Sequence, residues 1–151
     1  MIAIDKHIVQ TATALRHQLH ALAELPGKEQ QTAACIADFA RRHGAGEVIT
    51  GLGGHSVAVV MQGNGAGKNL LLRADMDAIP TARGAAHLCG HDGHSAMLAG
   101  LIPVLAKQRL DSGNVILLFQ SSEENGEGAR ALVDDPRFVA LKPDLIVGMH
   151  N

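Results

Sequence analysis

Tryptophan and tyrosine are absent from this 151-residue sequence, while phenylalanine occurs three times and cysteine twice. Two cysteines, Cys35 and Cys89, do not make the bridge framework on which small secreted domains rest. No run approaches the ~18 consecutive apolar residues of a membrane-spanning helix. The opening Met1-Ile2-Ala3-Ile4-Asp5-Lys6-His7 has neither the basic leader nor the apolar core of a secretory signal, so the expectation is a cytoplasmic protein without a membrane partner. Charge of one sign is missing too. Thirteen Lys and Arg against fifteen Asp and Glu leave a net charge of −2, which is no footprint for nucleic acid or an anionic lipid surface. What is present is 46% hydrophobic and 19% charged, with a mean hydropathy of +0.09. That balance describes a soluble chain able to bury a single core. Against the aromatic poverty stand nine histidines.

Residues 8–25 carry Ile8, Ala12, Leu15, Leu19 and Leu22 at spacings of three and four, the period of an amphipathic helix that Pro26 and Gly27 interrupt. A second helix follows to about His43, with Ala33, Ile36, Ala37 and Ala40 as its apolar stripe and Gly44 just past its end. Apolar runs at 57–61 and 69–73 flank Gly63-Asn64-Gly65-Ala66-Gly67, which predicts a hairpin. A helix over 93–107 is expected, with Pro103 as a kink or early stop. The continuous run inside 114–120 predicts a central strand buried on both faces. A short helix near 129–133 and a last strand at 145–149 complete a layered α/β pattern with right-handed crossovers.

The chemically capable residues fall at strand ends, where open α/β sheets build their sites. Asp75 and Asp77 follow one strand and point to the same side of an extended chain. Ser121-Ser122-Glu123-Glu124 follows another strand, and His150-Asn151 a third. His87-Leu88-Cys89-Gly90-His91-Asp92-Gly93-His94 lies between them. Taken singly, an Asp here forms a turn, a Glu pair starts a solvated helix, and Cys35 fills a helix stripe. His7, His17, His20, His43 and His55 carry no assignment. Together, Cys-x-His with carboxylates and another His offers the N, O and S donors that suit zinc and similar ions. Adjacent Glu123 and Glu124 can divide the work: one binds metal, while the other takes a proton from water whose pKa the metal lowers towards ~7. Metal-assisted hydrolysis follows from this set, and no electron-transfer centre accompanies it. Gly63 to Lys68 fails as a phosphate loop, because Gln62 and Asn69 stand where Gly and Ser/Thr are needed and a strand follows instead of a helix.

Arg73-Ala74-Asp75-Met76-Asp77-Ala78-Ile79-Pro80, Cys89-Gly90-His91-Asp92-Gly93-His94, Phe119-Gln120-Ser121-Ser122-Glu123-Glu124 and Gly148-Met149-His150-Asn151 resemble, in order, four motifs of one family. The family is the metal-dependent amidohydrolases related to carboxypeptidases: hippurate hydrolases, N-acyl-amino-acid deacylases and auxin-conjugate hydrolases. Leu15 to His20 resembles its first helix. The resemblance implies a three-layer αβα catalytic domain of the zinc-exopeptidase kind and two divalent ions, Zn or Mn, with Cys89, His91, Glu124 and His150 as ligands. It further implies Glu123 as the general base for the metal-bridging water and Asp77 as the carboxylate that orients a ligand. Asp75 sits where more distant relatives place a ligating His, so it is left outside the ligand set. His94, one helical turn beyond His91, is expected to be structural or to support a ligand. The implied substrate is an N-acyl amino acid or short peptide, with no nucleic acid partner.

The sequence also departs from that pattern. Only Thr81 to Ala86 separates Pro80 from His87, where the family carries a longer segment, often with an aromatic residue. The chain stops at Asn151, so residues 1–151 are expected to be the N-terminal portion of a truncated catalytic domain. The lid domain, through which a homodimer would form, and a late His ligand are expected to lie outside these residues. The alternative function is a catalytically inactive remnant in which Cys89, His91, Glu124 and His150 close round one structural ion.

Overall fold

The computed structural model describes residues 5–150; the first four residues and Asn151, the last residue of the fourth motif, lie outside it. Helix α1 (Lys6–Leu22) starts where the Asp5 side chain accepts from the His7 amide at 2.9 Å, and it buries Leu15 and Leu19. It stops three residues short of the predicted Leu25. Pro26 disfavours helical geometry in the residue before it, and Glu24 is engaged elsewhere. The Glu24 carboxylate accepts from the amides of Thr32 at 2.7 Å and Gln31 at 3.2 Å, while its carbonyl accepts from the Ala78 amide at 2.8 Å. Glu24 thereby serves two of the amides left without helical partners at the start of α2 (Gln30–Arg42). That helix buries Ala33, Ile36, Ala37 and Ala40, the predicted stripe.

Strands β1 (Glu47–Leu52), β2 (Ser56–Gln62) and β3 (Asn69–Asp75) follow, then a small two-stranded hairpin of β4 (Ile79–Thr81) and β5 (Gly84–Ala86). Next come α3 (His91–Ala99), α4 (Leu101–Lys107), β6 (Asn114–Gln120), α5 (Gly128–Val133), α6 (Pro136–Val139) and β7 (Leu145–Gly148). The main sheet runs β1-β2-β6-β3-β7. Its β2 is antiparallel to β6, whereas β3 is parallel to both β6 and β7.

The predicted hairpin between β2 and β3 does not form, because β6 inserts between them. The glycines serve a loop crossing instead of a tight turn. Gly63 donates to the Gly113 carbonyl at 2.8 Å, Gly113 donates to Gly65 at 2.9 Å, and Asn114 donates to Lys68 at 3.0 Å. A Cβ on Gly63 would lie 2.5 Å from the Gly113 oxygen, and one on Gly113 would overlap the Lys68 carbonyl. The actual hairpin joins β1, which has no clear apolar alternation, to β2. The predicted 93–107 helix is two helices, broken at Gly100 and starting at His91. Pro103 cannot donate to the Ala99 carbonyl and its ring crowds that group, so the break falls just upstream of the proline.

The central strands β2 and β6 are covered on both faces, in a three-layer arrangement, while edge strand β7 is exposed. Val57, Val59, Leu117 and Phe119 pack with α1 to α4, while Ala58, Val60, Ile116 and Leu118 pack with Leu132 of α5 and Phe138 of α6. Burial on both faces explains why β6 reads as an unbroken apolar run. Short helix α6 was not predicted; Asp135 caps it and pairs with Arg137, whose guanidinium reaches the Gly51 carbonyl at 2.6 Å. Among the described residues no helix is long and apolar enough to cross a membrane.

Candidate metal centre

Parallel β3, β6 and β7 deliver their carboxyl ends to one edge of the sheet, and α3 begins beside them. Asp75 ends β3, Glu123 and Glu124 follow β6, and His150 follows β7. Gly90, with φ of 79°, turns the chain into α3 and sets His91 in its first turn. Asp75 and Asp77, two apart, both face His91: Asp75 Oδ1 is 3.5 Å from Nε2 and Asp77 Oδ1 is 3.3 Å from Nδ1.

His91 is the hub. It is 1% exposed, and its Nδ1 lies 2.9 Å from the Asp77 backbone carbonyl. A carbonyl only accepts, so this bond puts the proton on Nδ1 and leaves a lone pair on Nε2. Nε2 is buried without a hydrogen-bond partner. Around it stand Glu124 Oε1 at 3.6 Å, Glu123 Oε2 at 4.0 Å and Asp75 Oδ1 at 3.5 Å. His150 Nε2 lies 3.7 Å from both Glu123 Oε1 and Asp75 Oδ2. These separations exceed hydrogen bonds. They are close to the ~3.3 Å that two ligands span on one ion at bond lengths of ~2.0 Å.

The donors form two overlapping groups, Cys89-His91-Glu124 and Asp75-His91-Glu123-His150, each with its ligand atoms within 4.8 Å of one another. His91 belongs to both. A buried imidazole nitrogen with no partner, ringed by carboxylate and thiol donors, fits a divalent cation. The metal-free electrostatics agree. The Cys89 thiol is pushed up to about 11 by its hydrogen bond to Glu124, then by desolvation and the charges of Glu124, Glu123 and Asp77. Burial would lower the His91 pKa, but Asp77, Asp75 and Glu124 outweigh it and hold the imidazole above its usual value. Excess negative charge is what a bound cation would neutralise.

Supporting contacts surround the donors. Asp77 Oδ2 accepts from the Glu124 amide at 2.9 Å. Asp75, 0% exposed, pairs with Arg73 at 2.6 Å and accepts from His94 Nε2. Burial opposes ionisation of Asp75, yet the His94 bond and the Arg73 charge bring its pKa below the usual value. Asp92, in the first turn of α3, accepts from Arg16 at 2.9 Å and lies 2.8 Å from His20 Nδ1, which ties α3 to α1.

Every residue singled out from sequence lies at this edge: Asp77, Cys89, His91, Glu123, Glu124 and His150. Asp75 stands in one donor group although the sequence left it outside the ligand set, and its shared facing with Asp77 was the signal that could have included it. Arg16 and His20 were not found, since nothing local ties them to Asp92 across 72 or more positions.

The model of Peptidase family M20/M25/M40 matches residues 71–151. Thermostable carboxypeptidase 2 of Saccharolobus solfataricus is 36% identical over 160 residues, covering 96% of this chain and 40% of the relative. Hippurate hydrolase of Campylobacter jejuni is 34% identical over 148 residues, covering 91% of this chain and 38% of the relative. Among solved structures, the Bacillus subtilis YXEP protein, described as a dinuclear metal binding peptidase of the M20 family, superposes with a TM-score of 0.86 at 29% identity. That match covers 97% of this chain and 44% of the other. The chain thus spans about two-fifths of the length of the curated relatives it matches.

Proposed function

The chain belongs to peptidase family M20/M25/M40, and from that premise we propose that it supplies the metal-binding portion of an amidohydrolase catalytic domain. The substrate is an N-acyl amino acid or short peptide, in line with the hippurate hydrolase and carboxypeptidase relatives. The observation that carries this reading is the buried, unpartnered Nε2 of His91, faced by oxygens of Asp75, Glu123 and Glu124.

In this reading Cys89, His91, Glu124 and His150 hold two divalent ions, Zn or Mn. Bound there, such ions would supply Lewis-acid polarisation of a carbonyl and a lowered pKa for a water. Glu123, partly exposed beside His91, would serve as general base, holding a proton taken from water until the leaving nitrogen accepts it. Asp77 fixes the His91 tautomer through its backbone carbonyl and steadies Glu124 through its carboxylate. A reducing, cytoplasmic setting keeps the Cys89 thiol available.

Metal content measured together with release of free amino acid from hippurate and N-acetyl amino acids, in added Zn²⁺, Mn²⁺ or Co²⁺, tests the reading. Two ions per chain with amino-acid release supports it. One tightly held ion and no release with any metal overturns catalysis by this chain and favours a single structural ion.

A further inference from the structure

The chain turns sharply between β6 and the two glutamates. Ser122 has φ of 56°, a left-handed conformation that a residue with a side chain keeps only when its surroundings hold it there. Glu123 and Glu124 come next, so the Ser122 backbone sets the direction in which both carboxylates leave the sheet. Four bonds fix the turn. The Gln120 carbonyl accepts from Met76 at 3.0 Å, and the Ser122 carbonyl accepts from Gly128 at 2.9 Å. The Ser121 amide donates to Ser56 Oγ at 3.0 Å. The Ser122 amide donates to Glu29 Oε1 at 2.7 Å, with Ser122 Oγ 3.5 Å from the same oxygen.

Glu29 is the unusual member. It lies just before α2, 93 positions away in sequence, and is 0% exposed. Its second oxygen, Oε2, is buried without a hydrogen-bond partner. Burying a carboxyl group with one oxygen unmet is a poor way to fill a core, where an apolar side chain would pack without that cost. Its one strong contact is at the strained residue, one position ahead of Glu123.

We propose that Glu29 is a positioning residue for the metal centre: its carboxyl group holds Ser122 in the left-handed conformation and thereby aims Glu123 and Glu124 at His91. The inference rests on the reading of Cys89, His91 and Glu124 as metal ligands. It makes the loop before α2, which carries none of the four motifs, part of the site.

Co²⁺ titration of the 151-residue chain, read by visible absorption, tests it. Glu29→Ala binds Co²⁺ about tenfold to hundredfold more weakly, the range found when a group supporting a metal ligand is removed, and with altered bands. Glu29→Gln keeps an acceptor oxygen in place and retains the wild-type bands. In the Glu29→Ala background, Ser122→Gly restores the bands, because glycine adopts the required φ without strain. If Glu29→Ala does not fold, Glu29→Asp, which withdraws the carboxyl by one methylene, carries the same comparison. A Glu29→Ala protein with wild-type affinity and bands overturns the proposal, as does a loss that Ser122→Gly leaves unrestored. Fast hydrogen exchange at the Ser122 amide of the wild type overturns the clamp itself. A wild type that takes up no Co²⁺ overturns the metal reading and this inference with it, whereas unchanged binding in Glu29→Ala overturns this inference alone.

Discussion

His91 lies with Nδ1 2.9 Å from the Asp77 backbone carbonyl, which leaves its Nε2 buried, unpartnered and 3.6 Å from Glu124 Oε1. Because the tautomer is fixed by a backbone group, side-chain replacements at position 77 leave it in place and remove the carboxylate's bond to the Glu124 amide and its 3.3 Å contact with His91 Nδ1. Asp77→Ala is therefore expected to weaken metal binding by about tenfold to hundredfold without changing the stoichiometry at saturation. Calorimetric titration checks this, and unchanged affinity would remove Asp77 from the supporting set.

Cys89 gives a prediction about pH. Its thiol, held up to about 11 by Glu124, desolvation and the neighbouring carboxylates, is protonated at neutral pH, so a metal binding there must expel that proton. Affinity then falls as pH drops, by about tenfold per unit from this one group. Calorimetry in buffers of different ionisation enthalpy should show about one proton fewer released by Cys89→Ser, which also binds more weakly because an alcohol is a poorer ligand than a thiolate. Equal proton release by the two proteins would contradict a Cys89 ligand.

Asp75 has its pKa lowered in the folded chain despite burial, through His94 and Arg73. A depressed carboxyl pKa stabilises the fold above the unfolded value of ~3.9 and loses that contribution as pH falls through the folded value. Removing the Arg73 guanidinium raises the folded value towards the unfolded one. Arg73→Met is expected to unfold at a higher pH in an acid titration followed by circular dichroism, and an unmoved midpoint would count against the pair.

Leu117 sits at the centre of β6, fully buried against the α1–α4 layer. Leu117→Ala should cost about 2–5 kcal/mol, read from urea unfolding. A smaller loss would mean that the layer collapses into the vacated space.

Legibility from sequence followed the range of the interactions. The run Val115 to Phe119 announces a central strand because both of its faces are covered, and Ala33 to Ala40 announces a helix stripe because its period is local. The loop from Gly63 to Gly67 misleads, because its glycines answer to Gly113, about 46 to 50 positions on, and not to a turn. Strand β1 and helix α6 went unseen for a related reason: β1 is only partly covered, and α6 is held by Asp135 and Arg137 reaching Gly53 and Gly51. At the site, the donors lie in short motifs that show their chemistry directly. Glu29 acts only through a distant partner and no local pattern marks it, whereas Arg16 and His20 lie in the stretch that resembles the family's first helix, but their partner Asp92 is 72 or more positions away.

His91 alone belongs to both donor groups, so its removal tests the metal centre most directly. Elemental analysis of dialysed protein, with circular dichroism to confirm the fold, should show two divalent ions per wild-type chain and at most one in folded His91→Ala, since the single Nε2 lone pair serves one ion. A folded His91→Ala protein that retains the wild-type metal content would contradict the account.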